Sequence, residues 1–311
     1  MLTREPIVQI HASRFCNYAC LHCYSSSSPF ARESLSVEDI LSTTHLLADE
    51  GYRHASLSGG EPVLYKDYDA LAKGLFDQGF HTSVITNGTQ TERLLPGMRA
   101  GYIQHASVSF DGDEKLHDTV RQKAGAFQRA CKALEDLLNA GLSTGVVISV
   151  TQQSMPILPN FIDSLVQLGV TQFQLHPLAS VGRAVTSIDE LGPELSQEAL
   201  LRLILLTMCL RKKHPAVEIH SDAIISDRLD FGDGQIEGSL ISPIVLRDDG
   251  KIVPYAYDVS LDLELGHVGA AALTCHVAAP VGRVLRAAFS RAREKLATTV
   301  YREIVGCSKP T

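Results

Sequence analysis

The chain alternates short apolar runs with longer amphipathic ones, the pattern of strands and helices in turn. Strand-like runs are expected at 7–13, 54–60, 81–88, 105–112, 143–150 and 173–179. Helix-like runs are expected at 37–51, 67–79, 126–141, 158–169 and about 195–213. Because roughly 25–50 residues separate successive strands, helical crossovers between parallel strands are indicated.

Glycine ends four of the helix-like runs just before a strand, at Gly51, Gly79, Gly141 and Gly169. Glycine readily adopts the left-handed backbone that closes a helix, so the helix ends agree with the periodicity. Six strand–helix units are fewer than the eight of a closed barrel. We therefore predict an α/β fold, a partial (β/α)6 TIM-like barrel, with a doubly wound sheet as the alternative.

The pattern changes after about residue 215. Residues 242–258 predict two short strands around an Asp-Asp-Gly turn, and a helix is expected over about 281–305. The stretch 230–238 has the composition of a linker. The predicted organisation is a barrel domain at 1–215 and a small α+β extension at 216–311.

Composition limits the classes of function. Of 311 residues, 45% are hydrophobic and 20% charged, so a sizeable core is expected. The net charge of −7 argues against a nucleic-acid partner, because such binding depends on neutralising phosphates. The first ten residues carry no signal-peptide pattern, and the apolar stretch 200–210 is interrupted by Arg202. A soluble, cytoplasmic protein without membrane contact is expected.

Three of the seven cysteines crowd together directly after the first strand, as Cys16, Cys20 and Cys23. The carboxyl ends of barrel strands carry the active site, so chemistry is expected at this position. Thiolates select zinc, copper(I) or iron–sulfur, and three thiolates leave one metal position open. The alternative is a zinc site completed by His11 or His22. Since the cysteine count is odd and the expected compartment reducing, disulfides are not predicted.

The spacing Cys16-x3-Cys20-x2-Cys23, with His22 before the third cysteine, resembles the signature of the radical S-adenosylmethionine (SAM) superfamily. The resemblance implies a [4Fe–4S] cluster on the three cysteines, with SAM chelating the open iron. Reductive cleavage of SAM would give a 5′-deoxyadenosyl radical that abstracts hydrogen from the substrate. A flavodoxin or ferredoxin is the electron donor that the family implies.

Further motifs carry the resemblance over about residues 7–185. Ser58-Gly-Gly-Glu-Pro62 is similar to the family's GGEP motif, which meets the SAM amino group, and Thr86-Asn87-Gly88 ends the third strand. Ser107–Gly112, followed by His117-Asp118 and Arg121, resembles a stretch in which Ser109 and Arg121 would hold the SAM carboxylate. His176-Pro177 and Gly182-Arg183-Ala184 resemble a stretch near the SAM adenosine. The expected cofactor contacts are Tyr24, Gly59, Gly60, Glu61, Pro62, Asn87, Ser109, Asp111, Arg121 and His176.

The C-terminal part resembles the SPASM or twitch extension of peptide-modifying members, through 244–254 and 265–268. The resemblance is degenerate, because Tyr255 stands where a cluster-ligating cysteine is expected. Cys131 and Cys209 lie in helix patterns and are expected to be buried small hydrophobes. Cys275 and Cys307 are hypothesised hydrogen donors to a substrate radical.

The resulting functional hypothesis is a radical SAM enzyme acting on a natural-product precursor, foremost a ribosomal peptide. One alternative is a radical SAM dehydrogenase or epimerase of a sugar, aminoglycoside or other small metabolite. Another is a non-catalytic iron–sulfur or zinc protein. The sequence does not name the substrate or the bond that changes.

Overall fold

The computed structural model describes residues 6–222, 243–254 and 264–270, and its centre is one sheet. The strands of this sheet are β1 Ile7–Ile10, β2 His54–Leu57, β3 His81–Thr86, β4 His105–Phe110, β5 Thr144–Val150, β6 Gln172–Pro177, β7 Glu218–Ser221, β8 Ile244–Leu246, β9 Lys251–Pro254 and β10 Gly266–His267. Their order is β10-β9-β8-β1-β2-β3-β4-β5-β6-β7.

The helices lie between the strands in the chain. They are α1 Val37–Asp49, α2 Tyr68–Asp77, α3 Thr91–Arg99, α4 Glu114–Arg121, α5 Ala126–Asn139, α6 Leu158–Gln167, α7 Ile188–Leu191 and α8 Gln197–Lys213. Two short 3-10 segments span Pro62–Leu64 and Gly182–Thr186. The five helices predicted before residue 215 are present. The pattern missed the four-residue α7, α3, which contains Pro96, and α4, whose only aliphatic residues are Leu116 and Val120.

Strand pairing confirms the partial barrel. From β1 to β7 the strands lie side by side in chain order and every neighbouring pair is parallel. A doubly wound sheet reverses its strand order at a switch point, and β1 to β6 show no reversal. Within the described ranges β7 and β10 are the two edges, so the sheet is open.

The sheet continues across the predicted boundary at residue 215. β7 pairs in parallel with β6, and β8 pairs in parallel with β1. β8 and β9 form the predicted antiparallel hairpin around the Asp-Asp-Gly turn. The division at 215/216 stays a prediction, and the predicted linker at 230–238 and helix at 281–305 lie outside the described residues.

The core fills the space between the sheet and its helices. Alternate strand residues such as Val8, Leu57, Val84, Val108 and Ile148 are buried and pack in one apolar cluster. Burying each such side chain contributes about 1.5–3 kcal/mol, so this layer fixes which strand face turns inward. In the described part of the chain, no helix has the length and apolar character needed to cross a bilayer.

Candidate active site

The cysteine loop, residues 11–36, joins β1 to α1 at the carboxyl edge of the sheet. Ser36 ends it by capping α1, its side chain accepting a hydrogen bond from the backbone N–H of Asp39. Cys16 and Cys20 are buried and Cys23 is half-buried, and the three pack in one cluster with Tyr18 and Ala126. The loop thus brings the three predicted ligands together.

Polar hydrogens point at two of the sulfurs. Cys16 Sγ accepts from the Tyr18 N–H at 3.4 Å and from Asn87 Nδ2 at 3.8 Å, and Cys23 Sγ accepts from the Ser27 N–H at 3.2 Å. Such donors stabilise thiolates and tune iron–sulfur clusters. Burial raises the pKa of Cys20 to about 11, so cluster binding must displace a proton from this thiol.

The geometry fits a cluster better than a single ion. Among the residues the structure describes, no three His, Cys, Asp or Glu side chains gather closely enough to hold one metal ion. His11 Nε2 is hydrogen-bonded to Tyr24 Oη at 3.2 Å, and His22 Nε2 to Asp111 Oδ1 at 2.7 Å. Both candidate fourth ligands of a zinc site thus have Nε2 engaged by another side chain. In a cluster each thiolate binds a different iron, which requires more widely spaced sulfurs.

The GGEP turn is tied to the cysteine loop by its backbone. The Gly60 N–H donates to Ser13 O and the Glu61 N–H donates to Phe15 O, both at 3.0 Å. A Cβ at residue 60 would lie 2.2 Å from the Phe15 carbonyl oxygen, so only glycine fits there. The turn thereby places Glu61 directly beside the cysteine loop.

Glu61 is buried with both carboxylate oxygens engaged. Oε1 accepts from Thr86 Oγ1 at 2.7 Å and Oε2 from the Asn87 N–H at 2.8 Å. Burial raises the pKa of Glu61 to about 7, partly opposed by these hydrogen bonds. An ammonium group that binds beside Glu61 would stabilise the ionised carboxylate, which burial otherwise disfavours. This agrees with the expected contact to the SAM amino group.

Asn87 links the end of β3 to the first cysteine. Besides contacting Cys16, its Nδ2 donates to Asn17 Oδ1 at 2.9 Å, and its Oδ1 accepts from the Thr89 N–H at 3.0 Å. The predicted residues Glu61 and Asn87 therefore form one connected site with Cys16.

A second polar network surrounds Asp111, which is fully buried after β4. Arg121 Nε donates to Asp111 Oδ2 at 2.6 Å, and Arg121 Nη2 to Oδ1 at 3.3 Å. Burial alone would raise the pKa of Asp111, but Arg121 and His22 hold it well below its ordinary range. Ser109 is half-buried two residues earlier, on the same strand face. The roles of Ser109 and Arg121 toward the SAM carboxylate stay predictions.

The remaining predicted residues are spread around the mouth of the barrel. Tyr24 contacts His11, and His176 Nδ1 is hydrogen-bonded to the Asp222 carboxylate. Pro62 begins the 3-10 segment after Glu61, and Gly59 adopts φ +104° against His11. Cys275 and Cys307 lie outside the described residues.

Two findings differ from what the sequence analysis singled out. Arg183 was quoted only as part of a motif, yet its guanidinium binds the cysteine loop through Cys20 O and Ser27 O. Cys209 was expected to be buried, which is wrong: it is exposed on α8, while Cys131 is half-buried. Helix periodicity alone did not say which side of α8 faces the core.

The inner face of the sheet is polar along much of its length, and by register it also carries histidines and, on β7, Glu218. Strand registers place serine or glutamine on this face at Gln9, Ser56, Ser83, Ser107, Ser109, Ser149 and Gln174. Barrel interiors are usually filled by branched apolar side chains. None of the inner-face positions of β1 to β7 carries lysine or arginine.

Comparison with known proteins identifies the family. The profile of the Radical SAM superfamily matches residues 10–174, more than half of the chain. This chain belongs to the radical SAM superfamily. It is accordingly an enzyme of a family that uses a [4Fe–4S] cluster and SAM. The three clustered cysteines and Glu61 lie inside the matched region.

The relatives of named function include a coproporphyrin synthase and two maturation enzymes. The chain is 27% identical over 219 residues to Fe-coproporphyrin III synthase of Methanosarcina barkeri, covering 70% of this chain and 55% of that protein. It is 24% identical over 269 residues to the sporulation killing factor maturation protein SkfB of Bacillus subtilis, covering 81% and 60%. It is 29% identical over 189 residues to the mycofactocin maturase MftC of Mycolicibacterium smegmatis, covering 60% and 48%. The chain thus spans about half the length of these curated relatives.

Solved structures confirm the fold. Streptococcus suis SuiB bound to S-adenosylmethionine superposes with a TM-score of 0.72 at 17% identity, covering 91% of this chain and 68% of SuiB. The structure of anSMEcpe with bound AdoMet and a Kp18Cys peptide superposes with a TM-score of 0.64 at 17% identity, covering 85% and 78%.

Proposed function

We propose that this radical SAM enzyme holds its cluster on Cys16, Cys20 and Cys23 and modifies a ribosomal precursor peptide of a natural product. A reduced cluster held by these thiolates would supply the electron for cleaving SAM, and the 5′-deoxyadenosyl radical so formed would abstract a hydrogen atom from the substrate. The electron comes from a flavodoxin- or ferredoxin-type protein, as the family implies. The proposal rests on the polar inner face of the sheet below the cysteine loop, which carries serine or glutamine on β1 to β6.

The residues at the mouth have separate tasks in this proposal. The three thiolates anchor the cluster and leave one iron for SAM. Glu61 accepts the SAM ammonium group, held in place by Thr86 and Asn87. Ser109 and Arg121 take the SAM carboxylate, with Asp111 fixing the guanidinium.

A peptide fits the inner face because of what its backbone needs. Every buried peptide N–H and C=O requires a hydrogen-bond partner, and hydroxyl and amide side chains can both donate and accept. The serine and glutamine side chains of the inner face offer such groups on six of the seven strands from β1 to β7. Maturation proteins among the relatives, such as SkfB and MftC, support the same substrate class.

The same face is less suited to a porphyrin substrate, because histidines are the only cationic side chains its described strands β1 to β7 offer, although a coproporphyrin III synthase is among the relatives. A coproporphyrin is a broad apolar ring with several carboxylates, so its site needs apolar walls and cationic partners. The inner-face positions of β1 to β7 offer no lysine or arginine. The arginines bordering the cysteine loop are engaged: Arg121 by Asp111, Arg14 by Asp248 and Arg183 by loop carbonyls.

A radical SAM dehydrogenase or epimerase of a sugar or aminoglycoside is the second candidate. Its support is that hydroxyl-rich walls bind polyols, and that β7 and the residue after it add the carboxylates Glu218 and Asp222. In an epimerase, Cys275 or Cys307 would return a hydrogen atom. The test of this hydrogen-donor role is to substitute each cysteine by alanine and to assay turnover in deuterated water. Unchanged deuterium incorporation in both variants would show that neither cysteine is the donor.

Co-expression and mass spectrometry test the peptide proposal. The protein is produced with each short open reading frame beside its gene, and the Cys16→Ala variant serves as the control. We expect one encoded peptide to change mass only with the wild-type enzyme. If no peptide changes while the purified enzyme converts iron coproporphyrin or an aminoglycoside, the peptide proposal is wrong.

A further inference from the structure

The turn after β6 reaches across the mouth and packs on the cysteine loop. The Arg183 N–H donates to Cys23 O at 2.9 Å. Gly182 adopts φ +59°, and a Cβ there would lie 2.2 Å from Tyr24 O and 2.5 Å from Cys23 O. Only glycine allows this approach, so the contact is built into the turn.

The Arg183 side chain is hydrogen-bonded to the same loop at two further points. Nη1 donates to Cys20 O and Nη2 to Ser27 O, both at 2.6 Å. The guanidinium therefore bridges the chain on both sides of Cys23. Each contact is a charge-assisted hydrogen bond, roughly twice as strong as a neutral one.

No acidic side chain neutralises Arg183 among the ion pairs of the described residues. Its charge is half-buried and lies next to the backbone of two cysteines. A fixed positive charge beside an iron–sulfur cluster favours the reduced, more negative state. Arginine is suited to both tasks, because its planar fork fixes two carbonyls and it stays protonated.

We propose that Arg183 is a positioning residue that holds the cysteine loop ready for the cluster and raises the cluster's reduction potential. The inference rests on the three cysteines being the cluster ligands. It adds the end of β6 to the strand ends that define the cluster site.

The first test uses the cluster-free protein and amide hydrogen exchange of residues 20–28. Arg183→Gln removes the charge and the fork, Arg183→Lys keeps the charge only, and Arg202→Gln on the exposed face of α8 is the matched control. We expect about tenfold faster exchange in both Arg183 variants, the size of one lost charge-assisted hydrogen bond, and no change in the control. Exchange equal to wild type in Arg183→Gln overturns the proposal.

The second test is the midpoint potential of the reconstituted cluster, followed by electron paramagnetic resonance. We expect a lower potential in Arg183→Gln and a potential near that of wild type in Arg183→Lys, since lysine keeps the charge. An unchanged potential in a fully loaded Arg183→Gln variant overturns the proposal. A wild-type protein that binds no iron would instead contradict the cluster assignment itself, so the two failures are distinguishable.

Discussion

Among the described residues, Asp111 is the one acidic group that forms an ion pair with the buried Arg121, so Asp111→Asn should destabilise the protein strongly. The substitution keeps the side-chain volume but removes the charge from a residue with no solvent exposure. The ion pair with Arg121 at 2.6 Å then loses its negative charge, and an NH2 group replaces one of the two oxygens that contact Arg121 and, at 2.7 Å, His22. Breaking one side of a buried ion pair costs about 3–5 kcal/mol.

Urea denaturation of the cluster-free protein, followed by circular dichroism, measures the effect. A loss of that size should lower the midpoint by roughly 1–2 M at an unchanged slope. The matched control is Asp77→Asn, which breaks the exposed ion pair with Lys73 and should leave the midpoint close to that of the wild type, because solvent screens such pairs.

A double variant separates the lost pair from the uncompensated charge. Asp111→Asn combined with Arg121→Met should regain part of the stability, because the unpaired cation is gone. The reasoning would be refuted if Asp111→Asn cost less than about 1 kcal/mol, or if the double variant were less stable than the sum of the two single losses.

Two further predictions concern the GGEP turn. Gly60→Ala should abolish iron loading after anaerobic reconstitution, because the new Cβ would clash with the Phe15 carbonyl. The control Gly97→Ala in α3, where a Cβ makes only ordinary contacts, should load normally, and equal loading of both variants would contradict the packing argument. The pKa of Glu61, raised from 4.5 to about 7, makes its stabilising contribution complete below about pH 4.5 and lost as the pH rises through 7. The stability of Glu61→Gln lacks this pH dependence. Its free energy of unfolding relative to that of wild type should therefore rise by about 2 kcal/mol between pH 5.5 and 8.5, measured by urea titration of the cluster-free proteins. A difference that does not change with pH would show the pKa assignment to be wrong.

Local pattern was enough to predict β1 to β6 and the five longer helices. Strands with one face in the core and amphipathic helices both have a regular spacing of apolar residues that is visible in the sequence. Several predicted elements run past the observed ends by up to three residues, since the residue pattern does not mark where hydrogen-bonded pairing stops. Residues 11–13 continue the polar–apolar alternation of β1 but belong to the cysteine loop. α4 was missed because its helix is stabilised by tertiary contacts, such as the Leu21 N–H bond to Val120 O, and not by an apolar stripe.

The site was predictable where motifs are contiguous and not where distant segments meet. Cys16, Cys20, Cys23 and Glu61 follow from short motifs. The bond between His22 and Asp111 joins residues 89 apart, and the Arg183 contact to Cys20 joins residues 163 apart. No local pattern encodes such contacts, because they arise only when the carboxyl ends of β1, β4 and β6 come together.

Iron and sulfide content after anaerobic reconstitution tests the central claim most directly, that Cys16, Cys20 and Cys23 hold one cluster. The comparison is between the wild-type protein and the variant in which all three cysteines are alanine. The account predicts about four irons and four sulfides in the wild type and almost none in the variant. A variant that keeps about four irons would contradict the account, because the cluster would then lie on other residues.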